Sequence, residues 1–412
     1  MPPHPHLKDI YTRENPLQAL NATAADIEQK TGVAVLRCHL GNPTAPAYQP
    51  ADQAMAEHIL HRNEDDENTG YLDVDGPPQW RQVIANALTL INRLPKGSID
   101  YHNVIGANGG TGALNLAFQV AKDPAILVSE PFYPPWMEIA KHTKERDIRT
   151  FALDKDYLLD VGNISGEIDK VLAETPGKSI LLLYHYPHNP SGKTLTEEEA
   201  KTVGERLNAL CAKYPSLYLV QEDLYLGTIA PEMGIYTPLP YLDEKARKRT
   251  MWIHSGSKIG HARDRAAVIC AFNDDLLKRI RGCNSYDILG SCHHNLIGLG
   301  TTLVEIAHGG VDAEDKNAQY DEKNPRNYRY QTAEYYQKRL KTVVEGIQEI
   351  EKKINFLLLP DGVPKGTYYL YPSFEFLRGA SIPSELAHVF GERKTFENAD
   401  DVALALQNAH LL

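Results

Sequence analysis

The run SILLLYHYPHNPSGKTLTEEEAKTVGERLNALCAKYPSLYLVQEDLY, from Ser179 to Tyr225, sets the fold class. It opens on SILLLYHY, a continuous apolar segment with the length of a buried strand. Thr196 and Glu199 then form a capping box at the start of an amphipathic helix, TLTEEEAKTVGERLNAL. A second short apolar segment, LYLVQEDLY, follows. Strands that are apolar throughout and joined by helices belong to parallel sheets with both faces covered. The pattern continues on either side. The segment at Val104, AILVSE from Ala125, MWIHSGS from Met251 and AAVICAF from Ala266 read as further strands. PPQWRQVIANALTLINRL opens with prolines suited to a first helical turn and places Trp80, Val83, Ile84, Ala87, Leu88 and Ile91 on one face. The expected fold is α/β, a large domain with a mostly parallel sheet covered by helices on both faces.

From about Ser285 the pattern turns helical, with a long helix from about Tyr328 to Ile354, and GTYYLYPSFEF from Gly366 reads as a strand of a different sheet. A smaller α+β domain is therefore expected. Residues 1–50 are expected to contribute an N-terminal segment to it, 51–299 to form the large domain and 300–412 to form the small C-terminal domain.

The 412 residues carry a formal net charge of -11, with 42% hydrophobic and 24% charged residues. This is a globular composition, and its acidity argues against nucleic acid or an anionic membrane as the main partner. The five cysteines, Cys38, Cys211, Cys270, Cys283 and Cys292, are scattered and contain no CxxC pair. A disulfide framework or zinc site is not expected, and a reducing, cytoplasmic setting is. No signal-peptide h-region and no run of 18 apolar residues occurs. His293 and His294 read as structural, not as metal ligands, and no metal site is expected.

In an open parallel sheet, ligands gather at the carboxyl ends of the strands. After the strand at Val104 comes GANGGTGALNLAF, a glycine-rich turn entering a helix, suited to a phosphate. AILVSE is followed by the rigid aromatic PFYPPW, and SILLLYHY by PHNPSG with Asn189. LYLVQ is followed by Glu222, Asp223 and Tyr225, and TMWIH by SGSK with Lys258. Each signal alone has a bland reading: a tight turn, a solvated carboxylate, a core tyrosine, a surface lysine. Their order and spacing carry more weight, since 34 residues separate Asn189 from Asp223 and 35 separate Asp223 from Lys258. Together they suit pyridoxal 5'-phosphate, which needs a lysine for its aldehyde, a carboxylate for its ring nitrogen, an aromatic face and phosphate donors.

These motifs resemble those of the fold-type I pyridoxal-phosphate enzymes, specifically the class I/II aminotransferase family, from LGNPTAP at Leu40 to GTYYLYP at Pro372. The resemblance implies a Schiff base on Lys258, phosphate contacts from Ser255, Ser257, Gly110 and Thr111, and stacking by Tyr133. Asn189 and Tyr225 would bond the cofactor's phenolic oxygen. NTGYLDVDG looks like the segment whose tyrosine, here Tyr71, reaches the partner subunit's phosphate, which implies a homodimer. Gly41 matches a glycine that closes over the substrate. The resemblance thus implies transamination between an amino acid and a 2-keto acid. A pyridoxal-phosphate lyase or cyclase of specialised amino-acid metabolism, or a non-catalytic relative, is the alternative.

Three departures from the family pattern stand out. For the acid at the ring nitrogen, family spacing selects Glu222 and residue type selects Asp223. Asp223 is preferred, with Glu222 the alternative. The phosphate-binding arginine, expected eight residues after the lysine, is matched by Arg265, seven after. The arginine that grips the substrate carboxylate is not found after Pro372, where only Arg378 and Arg393 occur. The terminal DDVALALQNAHLL reads as the helix leading into that segment, so a trimmed chain is expected, with Arg263 as substitute if it is not.

Overall fold

In a computed structural model, residues 16–35, 37, 41–61, 73–141, 146–287, 290, 292–308, 325–359 and 362–408 are described. They fall into two compact units: a smaller one from the described parts of 1–42, 342–363 and 371–412, and a larger one from those of 43–341 and 364–370.

The larger unit is built on a seven-stranded sheet. Its strands are β1 (Val104–Asn108), β2 (Ala125–Glu130), β3 (Asp147–Ala152), β4 (Ile180–His185), β5 (Leu217–Asp223), β6 (Thr250–Ser255) and β7 (Ala266–Ala271). Their spatial order is β1-β7-β6-β5-β4-β2-β3. Only β7 runs against its neighbours, β1 and β6. Six of the strands lie within the segments expected from sequence. The edge strand β3 was not expected: it pairs on one side only, is mostly half-buried, and carries Asp147 and Arg149 in place of an apolar run.

Side chains alternate between the two faces of each strand. One face carries Leu182, Tyr184, Leu219, Trp252 and Val268 into a core shared with helices α1 (Pro78–Ile91), α4 (Val161–Glu174) and α5 (Glu197–Lys213). The other carries Leu181, Leu183, Val220, Met251 and Ile253 against α2 (Gly109–Gln119), α3 (Pro135–Lys141) and α6 (Asp274–Asp287). Helix α5 begins at the expected capping box, with Thr196 Oγ1 accepting from Glu199 N at 3.3 Å and Glu199 Oε2 from Thr196 N at 2.9 Å. Each fully buried Leu or Ile contributes about 1.5–3 kcal/mol, so the double-sided apolar strands dominate the stability of this unit.

The smaller unit has a core of Phe390, Phe396, Val402 and Ala405. Its β pairing is limited, among the described residues, to isolated bridges Arg378–Phe396 and Ser381–Thr395. The expected strand at GTYYLYPSFEF does not form: residues 364–370 group with the larger unit as irregular, bent chain outside any ladder.

Candidate functional site

The turns after β1, β2, β4, β5 and β6 leave the sheet at one edge. Because β7 is antiparallel, the residue before it, Arg265, returns to that same edge. Lys258 closes a 3-10 turn after β6. Ser255 caps this turn, accepting from Ser257 N at 3.2 Å, and its hydroxyl lies 2.9 Å from that of Ser257. The loop beyond is pinned by buried His261, which bonds Asp264 at 2.7 Å and Thr302 at 2.8 Å. The Lys258 amine sits 6.0 Å from the Tyr225 ring centroid and 5.9 Å from that of Tyr368. Burial pushes its pKa down to about 8, against the pull of Glu222 and helped by Arg265. A near-neutral amine is what nucleophilic addition requires.

Asn189 Nδ2 donates to the Tyr225 hydroxyl at 3.0 Å. The Asn189 turn is held by two buried imidazoles. Asn189 N donates to His185 Nε2 at 2.7 Å, and His188 contacts Ser191 Oγ at 2.8 Å and Pro131 O at 3.1 Å. Burial lowers both histidines to about 3, so they stay neutral. Since His185 Nε2 accepts, its proton resides on Nδ1, which faces Glu222 Oε2 at 3.7 Å.

The two adjacent acids part company. Glu222 shares the β5 face of Val220, with Trp136 Nε1 donating to its Oε2 at 2.9 Å. Burial raises it to about 7, against the Trp136 hydrogen bond and the nearby Lys258. Asp223 shares the opposite face with Leu219 and, on β6, Trp252. It is fully buried beside Trp252, and neither carboxylate oxygen meets a hydrogen-bond partner among the described residues. Strand alternation sends Asp223, the acid preferred for the ring nitrogen, to the face away from Lys258, and puts its alternative Glu222 on the Lys258 side.

Gly109 and Gly110 open α2. Gly109 has φ +69°, and its N–H donates to Arg265 O at 2.7 Å. A Cβ on Gly109 would come within 2.1 Å of the Arg265 guanidinium, so backbone and arginine share one small space. A Cβ on Gly110 would lie 3.6 Å from Glu222 Oε1 and 3.7 Å from Ser255 Cβ, which fixes the turn beside the Lys258 loop. Amide N–H groups at a helix start, a guanidinium and two serine hydroxyls make a cradle for an anion. Tyr133 packs on the same side, and burial, then Glu222, raises its hydroxyl to about 12. Thr111 and Arg265 also line a cavity of about 490 Å³ with Asn108, Asn284 and Asp287, a cavity that Lys258, Asn189 and Tyr225 do not reach.

Arg263 is exposed and Gly41 belongs to the smaller unit. In that unit Arg378 pairs with Glu375 at 2.9 Å, and Arg393 pairs with Asp401. Tyr71 lies outside the described residues. The sequence reading missed Trp136, His185, Tyr368, Tyr369 and Gly109 as members of the site. Trp136 carried one signal, its place three residues after Tyr133 at the start of a proline-opened helix.

A family model described as aminotransferase class I and II matches residues 39–394. A probable aspartate aminotransferase of Methanocaldococcus jannaschii is 23% identical over 336 residues, 80% of this chain and 78% of that protein. A cystathionine beta-lyase of Corynebacterium glutamicum is 32% identical over 128 residues, 30% of this chain and 31% of that protein. Among solved structures, the aspartate aminotransferase of Rhizobium meliloti superposes with a TM-score of 0.76 at 19% identity, covering 100% of this chain and 90% of that one.

Proposed function

The chain belongs to the class I and II aminotransferase family, and from that premise we propose that it exchanges amino groups between an amino acid and a 2-keto acid with pyridoxal 5'-phosphate held at Lys258. The observation that carries this reading is the Lys258 amine, half-buried at the edge of the sheet between the rings of Tyr225 and Tyr368, with its pKa brought down to about 8. The groups around it fit the cofactor. Gly110, Thr111, Ser255, Ser257 and Arg265 suit its phosphate. Asn189 and Tyr225 suit its phenolic oxygen, Glu222 its ring nitrogen and Tyr133 its ring face.

When bound, the cofactor supplies an aldehyde that condenses with amines and a ring that takes up the electron pair of a broken Cα bond. Lys258 is the amine that carries it. Freed by an incoming amino group, Lys258 Nζ would take the proton from the substrate Cα and return it to the cofactor's C4' carbon, as general base and then acid. Glu222 keeps a proton on the ring nitrogen. In this it would be backed by Trp136 Nε1–H, which favours the carboxylate form. Tyr225 and Asn189 donate to the phenolic oxygen. The protein acts as a cytoplasmic homodimer with Tyr71 lent across the interface.

Gly109→Ala is expected to raise the dissociation constant for pyridoxal phosphate about tenfold to a hundredfold, through a strained positive φ and a displaced guanidinium. Equilibrium dialysis reads it, and unchanged affinity would place the phosphate elsewhere.

A second reading, β-elimination from a thioether amino acid, is favoured by the 128-residue likeness to a cystathionine beta-lyase. One experiment separates the two. The cofactor-loaded protein is incubated with amino acids with and without a 2-keto acid. Transfer of the amino group that depends strictly on the keto acid is expected. Ammonia release without an acceptor would favour the lyase, and a protein that takes up no chromophore would overturn both.

A further inference from the structure

The segment 364–370 arrives from far along the chain and is bound closely to the two loops that bear Asn189 and Tyr225. Gly366 N donates to Gly192 O at 2.8 Å, Thr228 Oγ1 donates to Gly366 O at 2.7 Å, and Ala230 N donates to Lys365 O at 2.6 Å. The approach is so tight that a Cβ on Gly366 would lie 2.4 Å from Pro187 Cβ and 2.7 Å from Gly192 O. The result is to fix Tyr369. Its ring stands edge-on to Tyr225 at 5.9 Å and beside Tyr368 at 4.9 Å. Its hydroxyl is 3.3 Å from that of Tyr225. Asn189, Tyr225 and Tyr369 thus form one hydrogen-bonded line.

We infer that Tyr369 is a positioning residue: acting through Tyr225, its hydroxyl sets how strongly the site donates to the phenolic oxygen of the bound cofactor. The inference rests on the pyridoxal-phosphate reading above. The chemistry follows from counting protons. The Tyr225 hydroxyl has one, and in this structure it points to Tyr369 while its oxygen accepts from Asn189. Facing a phenolic oxyanion, Tyr225 must turn its proton toward that oxygen. The Tyr369 hydroxyl is the group placed to rotate and donate to the Tyr225 oxygen in exchange. A phenol that itself accepts a hydrogen bond is a stronger donor, because successive bonds polarise one another. Stabilising the phenolic oxyanion lowers the proton affinity of the neighbouring nitrogen that joins the cofactor to Lys258. Tyr369 therefore lowers the pKa of the bound chromophore.

The test is a spectrophotometric pH titration of the cofactor-loaded wild type and of Tyr369→Phe, Tyr225→Phe and the double variant. Phenylalanine keeps both ring contacts and removes only the hydroxyl. Cofactor uptake by each variant reports that it has folded. Tyr369→Phe is expected to raise the chromophore pKa by about half to one unit, the worth of one net neutral hydrogen bond. Tyr225→Phe is expected to raise it further, and adding Tyr369→Phe to that background is expected to change nothing more. An unmoved pKa in Tyr369→Phe, or the same shift in the Tyr225→Phe background, overturns the inference while leaving the cofactor reading intact. A wild type that takes up no chromophore overturns the cofactor reading and this inference with it.

Discussion

Lys258→Ala is expected to leave a folded protein that takes up pyridoxal phosphate reversibly and turns over amino acids roughly ten-thousandfold more slowly, or not measurably. Two functions are lost at once: the covalent anchor and the base that moves the Cα proton, and a positioned base alone contributes about a hundredfold to ten-thousandfold. Single-turnover spectra and the intact mass after borohydride reduction read the two separately. The wild type should retain the cofactor's mass after reduction and the variant should not. A variant with more than a tenth of wild-type turnover would remove Lys258 from the mechanism. The lysine also makes a pH prediction. Only the neutral amine attacks an aldehyde, and burial places the Lys258 pKa near 8. The rate at which the cofactor-free protein attaches pyridoxal phosphate should rise with pH and level off above about 8. An ordinary lysine would keep gaining up to about 10.4.

Glu222→Gln is the second large effect expected, a loss on the order of a hundredfold to a thousandfold in kcat, the scale for removing one charged group aimed at developing charge. The amide keeps the shape but leaves no anion to hold the ring proton. Asp223→Asn should leave kcat within a factor of about three, because that carboxylate lies on the other face of β5 and exchanges no charge with the site. Its signature should be in stability. Burial pushes Asp223 up to about 7 from an ordinary value of 3.8. Stability that depends on its protonated form is fully present below about 3.8 and is lost as pH rises through about 7. Asp223→Asn should therefore gain melting temperature relative to wild type at pH 8 and not at pH 4. Side-by-side kinetics and melting curves decide. A large kcat loss in Asp223→Asn with little in Glu222→Gln would return the role to Asp223.

The sequence by itself determined the fold class and most of the strands. A strand buried on both faces must be apolar along nearly its whole length, and ILLLY and AAVICA meet that demand without reference to their neighbours. It also singled out the turns that the structure brings to one edge of the sheet, because the residues after each parallel strand can be read directly. The edge strand β3 escaped because one side of its ladder faces no partner, so charges are tolerated there and the apolar signal is diluted. Alternation along β5 required that Glu222 and Asp223 point apart, yet could not tell which pointed toward Lys258. Only the packing of α2 and α3 against one face, which brings Trp136 onto Glu222 and Gly110 beside it, settled that. Tyr369 was decided by tertiary structure alone. It meets Tyr225 across 144 residues through a segment with no regular hydrogen-bond period, held by backbone contacts to two distant turns. Local sequence encodes periodicity and turn chemistry; a contact made by an aperiodic segment depends on where the rest of the chain puts its partners.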